Sequence, residues 1–412
     1  SEIKNIILTP DFHKGVPPVG TVIETANCII PKAIGSSDFG CGMMFAETDV
    51  SKEEFTSVSK KNIEEKLRYI YFEGGRDIPS TKDLRYNFFK KGIQGVLDTP
   101  YKEGIWKYLN KSFINQNIER FALDGDGEYL YKDYIENINR DTQIGSIGGG
   151  NHFVEYQFKK SCKYNEFGLK HSVLNNLCIM THTGSVSIGA GVGNVFFEKF
   201  KEDYPKGLEK PFKDFFIVDS ESPLAKKYIS AMNGAINFAS VNRLLLTLMS
   251  FRALSELLGR EIQYRIIFDA PHNWIECKEN NTFIHRKGAT PAYENDPVII
   301  PGSMGSSSFI LKGKGSRDAL YSSCHGAGRK KARGEVHFKE FGDKLSIEDL
   351  FVVTKVSSSI VRKDILDRYN TSLKEESPEM YKDITPVIDT VVNSGIADVV
   401  AETFPFLTIK GI

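Results

Sequence analysis

Asp38-Phe39-Gly40-Cys41-Gly42-Met43 sets a carboxylate and a thiolate three residues apart, with glycines at 40 and 42 that permit a tight turn. Such a turn aims both side chains at one point, and carboxylate, thiolate and neutral imidazole are the groups that bind divalent transition metals. Outward from it the same kind of setting recurs around histidines: Gly150-Asn151-His152-Phe153, Thr181-His182-Thr183-Gly184, Pro271-His272-Asn273 and Cys324-His325-Gly326-Ala327-Gly328-Arg329. A lone cysteine is most often a small buried hydrophobe, and a lone histidine a satisfied polar group. The chain has only eight histidines in 412 residues, so this many in turn-like polar surroundings point to a metal centre. On ligand chemistry alone manganese, iron, cobalt and zinc compete for it.

His325 has the most informative surroundings. Gly326 and Gly328 open the backbone, Arg329 offers a guanidinium suited to two-pronged phosphate contact, and Lys330, Lys331 and Arg333 follow. An imidazole there suits nucleophilic attack on phosphorus, with Cys324 as the rival nucleophile. From Lys312 to Arg333 the basic residues are Lys312, Lys314, Arg317, Arg329, Lys330, Lys331 and Arg333, against Asp318 alone. Phosphate binding and a solvated face weigh about equally on composition; the position of the cluster around His325 favours phosphate. Glycine-rich loops at 145–150, 184–193 and 301–308 can also present backbone N–H groups to phosphates. None fits a Walker or a Rossmann pattern, and Asp124-Gly125-Asp126-Gly127 lacks the closing glutamate of a calcium loop, so it reads as a turn.

Short apolar runs at 5–8, 20–23 and 28–30, punctuated by glycine and proline, read as strands. Residues 51–70 read as a helix, and 74–142 as an irregular helical insertion. The clearest helix spans 223–258: Pro223 suits its first turn, apolar residues recur at helical spacing, and Gly259 ends it. Asn233, Asn237, Asn242 and Arg243 interrupt that helix and point either at a site or at solvent. Beyond it, residues 264–268 read as a buried strand delivering His272, 298–300 as one delivering the Pro301–Gly305 turn, and 308–311 as a third. No repeat or low-complexity linker divides the chain. The expectation is an α+β fold in a single large mixed domain, residues 1–412, with strands and turns around a central metal site flanked by helices.

Composition is that of an ordinary globular protein, 41% hydrophobic and 26% charged. No apolar run approaches the roughly 18 residues that would span a bilayer, so no membrane partner is expected. The start shows no secretory pattern and no initiating methionine, and the chain reads as trimmed there. Six scattered cysteines without a CxxC pair argue against a disulfide framework or a zinc ribbon, and for a reducing, cytoplasmic setting. The net charge is zero, so a nucleic-acid partner would need a local basic patch.

These motifs, in this order, resemble the RtcB-type RNA ligases of tRNA splicing and RNA repair. The likeness runs from Pro10-Asp11-Phe12-His13-Lys14-Gly15 through Asp38–Met43, Gly150–Glu155, His182–Ser185, Ala231 to Arg243, Pro301–Gly305 and His325–Arg329, to Ile409-Lys410-Gly411. The resemblance implies two manganese ions held by Asp38, Cys41, His152, His182 and His272, with Cys41 bridging. It implies that GTP guanylylates His325, and that Asn151, Phe153, Glu155, Ser303, Ser306, Tyr381 and Lys410 hold the guanine nucleotide. Asp11, Arg329, Lys330, Lys331 and Arg333 are candidate phosphate or RNA contacts. The expected substrates are RNA 3′-phosphate or 2′,3′-cyclic phosphate ends and 5′-hydroxyl ends, with a protein activator as a further partner of the family. Three departures mark a divergent member: Gly149 in place of the threonine of the family's GTGNH motif, Val186 where an arginine often follows HSGS, and Lys330-Lys331-Ala332-Arg333 after HGAGR. Two other readings stand beside ligation: a metal-binding relative that binds or heals RNA ends without joining them, and a Cys/His hydrolase using Cys324.

Overall fold

The computed structural model describes residues 2–99, 101–114, 123–126, 143–170, 173–206, 211–335, 345–356 and 362–411. The fold is mixed α+β. Its large sheet runs Pro297–Ile300, Ser308–Gly313, Ala397–Lys410, Phe153–Cys162, Asn176–Thr183, Gly42–Ser51, Tyr264–Pro271, with neighbours antiparallel. A short strand, Val352–Thr354, pairs in parallel with Ala397–Lys410 off this path. The two outermost strands, Pro297–Ile300 and Tyr264–Pro271, approach each other, so the sheet curls toward a closed barrel. A second sheet of four strands orders Ile3–His13, Val19–Ala26, Thr282–Lys287 and Asn273–Lys278.

The helix expected at 223–258 forms as Pro223–Leu258. Ser222 caps it by accepting from the Ala225 amide, Pro223 occupies its first turn, and Gly259 closes it in the left-handed conformation at φ 67°. It is apolar nearly all round because it is buried nearly all round, between the large sheet and the helices beside it. Leu244, Leu245, Leu246 and Leu248 are fully shielded from solvent, and truncating any one of them to alanine would cost about 2–5 kcal/mol.

Its polar interruptions are explained by tertiary partners. Asn237 holds the preceding segment, donating to the carbonyls of Phe89 (2.8 Å) and Leu123 (2.7 Å) and accepting from the Leu123 amide (3.0 Å). Asn233 donates to the Asp124 carbonyl at 3.3 Å. Asn242 clasps the glycine loop, accepting from the Gly145 amide and donating to the Ser146 carbonyl, both at 2.8 Å. Arg243 reaches the turns that carry the metal-donor motifs.

The single helix expected at 51–70 is two, Lys52–Ser57 and Lys60–Phe72. Ser51 and Ser59 each cap a start, accepting from Glu54 and Asn62 amides; the second cap captures the backbone in an extended residue and breaks the helix. Of the segment 74–142, the described part contains a helix, Lys82–Asp98, kinked at Gly92 (φ 57°), and two 3-10 turns, Gly104–Tyr108 and Lys111–Phe113. Trp106 anchors it, buried with its indole N–H donating to the Pro79 carbonyl at 2.7 Å. The rest of that expected insertion, 115–122 and 127–142, lies outside the described residues.

Candidate active site

Cross-strand register gathers the donors. Gly42 lies opposite both Thr183 and Pro271, and His182 lies opposite both Met43 and Phe153. Cys41, His152, His182 and His272 therefore stand at one end of adjacent strands, although 231 residues of sequence separate the first from the last. Cys41 Sγ lies 3.3 Å from His152 Nε2 and 3.2 Å from His182 Nε2. His152 Nε2 is 3.3 Å from Asp38 Oδ2, and His182 Nε2 is 3.4 Å from His272 Nε2. Two donor sets result, Asp38–Cys41–His152 and Cys41–His182–His272, and Cys41 belongs to both.

Arg243 holds the turns from behind. Fully buried, it pairs with Asp269 (Nε to Oδ1, 2.5 Å) and donates from Nη1 to the carbonyls of Gly40 (2.7 Å) and Thr183 (3.0 Å). Asn273 adds a bond to the Asp38 carbonyl at 3.1 Å.

The chemistry of this donor set fits a divalent cation. His182 donates Nδ1–H to the Asn151 carbonyl at 3.2 Å, which leaves its Nε2 unprotonated, facing His272 Nε2 and the sulfur of Cys41. Nitrogen and sulfur donors converging at these distances suit a shared cation. Burial, and then the neighbouring imidazoles, push the pKa of His182 and His272 well below the usual histidine range, so both rings are neutral and able to coordinate. Burial and the Asp38 carboxylate push the Cys41 thiol well up; a metal ion is what reverses that preference. The buried Nδ1 atoms of His152 and His272 find no protein partner.

His325 stands beside this cluster, its ring 4.6 Å from that of His272. The strand Ser322–Cys324 that delivers it pairs with Ala289–Pro291, and the Ala289 amide donates to the His272 carbonyl. Asp11 orients the ring: its fully buried Oδ2 accepts from His325 Nδ1 at 2.7 Å and from the His325 amide at 3.1 Å, while Thr9 donates to Oδ1 at 2.5 Å. The Nε2 lone pair of His325 is then free for the cleft. Gly328, at φ 78°, lets this turn close on the Asp11 backbone, since a Cβ there would meet the Asp11 carbonyl oxygen at 2.3 Å.

The cleft above these groups measures about 350 Å³. Of the residues expected to hold a nucleotide, Asn151, Phe153, Glu155, Ser303, Tyr381 and Lys410 line it, with Arg329 and Arg333. Ser306 is not among the lining residues; its hydroxyl accepts from the Ser303 amide at 2.8 Å and so fixes the turn. Lys330 and Lys331 are outside the lining. The basic stretch from 312 divides as well: Lys312, Lys314 and Arg317 pair with Glu166, Asp398 and Glu24 away from the cleft. Burial pushes Glu155 up to about 7, against its bonds from Thr408 and Gln157. Cys324 is fully buried, does not line the cleft, and has its thiol pushed well up by burial, which removes the basis for a thiolate nucleophile there.

His13, within the Pro10–Gly15 motif but given no role there, stacks 6.5 Å from His325. Two charged lining residues escaped sequence reasoning: Lys287 stands near Asp38, and Glu376 meets Lys410. Each of these two lies in a stretch with no distinctive local pattern; only tertiary proximity marks it.

The family described as tRNA-splicing ligase RtcB matches residues 2–411. The tRNA-splicing ligase RtcB of Thermococcus kodakarensis is 28% identical over 445 aligned positions, which cover 99% of this chain and 88% of that protein. Its counterpart in Nanoarchaeum equitans is 27% identical over 447 positions with the same coverage. RNA-splicing ligase RtcB homolog 1 of Entamoeba dispar is 30% identical over 456 positions, 98% of this chain and 78% of its own. A likeness that spans nearly every residue and includes all the donor turns leaves one assignment: the chain belongs to the RtcB tRNA-splicing ligase family, as a divergent member.

Proposed function

We propose that the chain is a GTP- and manganese-dependent RNA ligase that joins 3′-phosphate or 2′,3′-cyclic phosphate ends to 5′-hydroxyl ends, with His325 carrying a guanylyl group between steps. The observation that carries this reading is the Asp11–His325 pair set directly against the Cys41-linked donor cluster. Asp38, Cys41, His152, His182 and His272 would hold two manganese ions, which when bound neutralise triphosphate charge and polarise the reacting phosphoryl group. Asp11 keeps the Nδ1 proton of His325, so Nε2 attacks the α-phosphorus of GTP; the Nε2–P bond forms, the Pα–O bond to the β-phosphate breaks, and pyrophosphate leaves. GMP then passes from His325 to an RNA 3′-phosphate, a cyclic end having first been opened by water. The 5′-hydroxyl displaces GMP, and the phosphodiester forms. Glu155 suits the two N–H donors of a guanine edge, and Lys410, Arg329 and Arg333 suit phosphate oxygens.

End-binding without joining is favoured by one feature: the N-cap of the helix Ser187–Asp203, two residues past Gly184, is the uncharged Val186. One assay separates the two readings. An RNA with a 3′-phosphate is mixed with a 5′-hydroxyl RNA, GTP and Mn²⁺, and products are resolved on a denaturing gel. Joined RNA dependent on His325 supports ligation; a guanylylated protein that leaves both RNAs unjoined supports the end-binding relative.

A further inference from the structure

Glu376 lies in the turn between the helices Lys363–Lys374 and Ile384–Asn393, and only 2% of its side chain is exposed. Both carboxylate oxygens are fully used. Oε1 accepts from Arg329 Nη1 at 3.1 Å and Arg333 Nε at 3.0 Å; Oε2 accepts from the Tyr381 hydroxyl at 2.7 Å and Lys410 Nζ at 3.3 Å. These donors come from the stretch after His325, the turn before the helix Ile384–Asn393, and the last strand, and all four line the cleft.

We propose that Glu376 is a positioning residue that gathers Arg329, Arg333, Tyr381 and Lys410 on one wall of the cleft and keeps the Lys410 ammonium charged for the nucleotide. This rests on the reading of Lys410 as a nucleotide contact. Lys410 is as deeply buried as Glu376, at 2% exposure, and its other partner is the neutral Gly150 carbonyl at 2.7 Å. An ammonium at that depth needs an opposite charge or it gives up its proton. Burial lowers the Lys410 pKa, and Glu376 is the leading counterweight. Burial also works against ionisation of Glu376, but Lys410 and Arg333 outweigh it and hold the carboxyl at about 2, so the counter-charge persists throughout the working range. Arg333 and Glu155 also act on Lys410, while Arg329, Arg333 and Tyr381 face Glu376. Arginine does not shed its proton in this range, so a pH signature created by removing Glu376 would belong to the lysine.

The test uses the manganese-loaded full chain and guanosine 5′-(α,β-methylene)triphosphate, which occupies the cleft without transferring GMP. Binding is followed by calorimetry between about pH 6.5 and 9.5, a window in which a lowered lysine pKa is visible. In Glu376→Gln the pH at which binding weakens on the alkaline side moves down by about one to three units relative to wild type. Glu376→Asp, which keeps the charge but draws it back by a methylene, moves it less, and serves if the glutamine variant does not fold. Glu376→Gln with Lys410→Met loses this alkaline transition, identifying the lysine as its source. A cluster that only ties the last strand to the fold would lower the melting temperature and leave the transition in place, and that result overturns the proposal. Absence of binding by wild type overturns the nucleotide reading of the cleft and this inference with it; wild-type binding with an unmoved transition overturns this inference alone.

Discussion

Gly184 permits the donor cluster by having no side chain. A Cβ added there would lie 2.1 Å from Asp38 Oδ1 and 3.2 Å from Cys41 Cα. Reaching ordinary contact at 3.4 Å would drive the carboxylate back by about 1.3 Å, whereas a working constellation tolerates about 0.5 Å. The Gly184 backbone is outside the left-handed region, so alanine adds no backbone strain. Asp38 is 33% exposed and can swing outward, which limits the folding cost to about 1–3 kcal/mol. Gly184→Ala should therefore fold and yet bind manganese at least about 10- to 100-fold more weakly. The assay is titration of metal-free wild type and variant with Mn²⁺, free ion followed by electron paramagnetic resonance, with thermal unfolding alongside. Wild-type manganese affinity in the variant would refute Asp38 as a donor in this geometry.

Arg243→Met leaves Asp269 buried and unpaired and frees the Gly40 and Thr183 carbonyls. It should destabilise the metal-free protein by about 3–5 kcal/mol in denaturant unfolding; an unchanged midpoint contradicts the clamp. Asp11→Asn keeps the shape around His325 but removes the charge that steadies its Nδ1 proton, so guanylylation should slow about 100-fold or more; labelling at the wild-type rate would count against that role. His285 is fully buried, its Nε2 accepting from the Ile30 amide at 2.9 Å, and burial lowers its pKa to about 4. The unfolded chain takes up this proton near pH 6.5 and the folded chain only near 4, so stability falls as pH drops across that interval, by about 3 kcal/mol. His182 and His272 act in the same direction, and a melting temperature of the metal-free protein that stays flat from pH 7 to about 4.5 would contradict the sign.

Much of the candidate site was legible because residues able to hold a metal at turns leave local marks. Cys41 between glycines, and His152, His182, His272 and His325 in short polar motifs, stand out without any knowledge of the fold. The helix Pro223–Leu258 was legible for a similar reason, with Pro223 and Gly259 punctuating its ends. What stayed hidden depends on partners remote in sequence. Nothing near Asn237 or Arg243 tells that one holds Phe89 and the other Gly40, and nothing near Asp11 tells that its carboxylate meets an imidazole 314 residues away. The convergence of the donors is a matter of strand register, which the alternation of side chains constrains but does not pair. Ser59 shows the limit at short range: its hydroxyl can cap a new helix or sit within a continuous one, and tertiary packing decides.

The proposed ligation turns on one step, the acceptance of GMP from GTP by His325. Purified protein is incubated with α-labelled GTP and Mn²⁺, resolved on a denaturing gel before and after acid treatment, and compared with His325→Ala. Guanylyl transfer to His325 gives a labelled protein band that acid removes, as a phosphorus–nitrogen bond requires, and that the variant lacks. A manganese-loaded wild type that takes up no label, or a His325→Ala protein that labels as well as wild type, would contradict it.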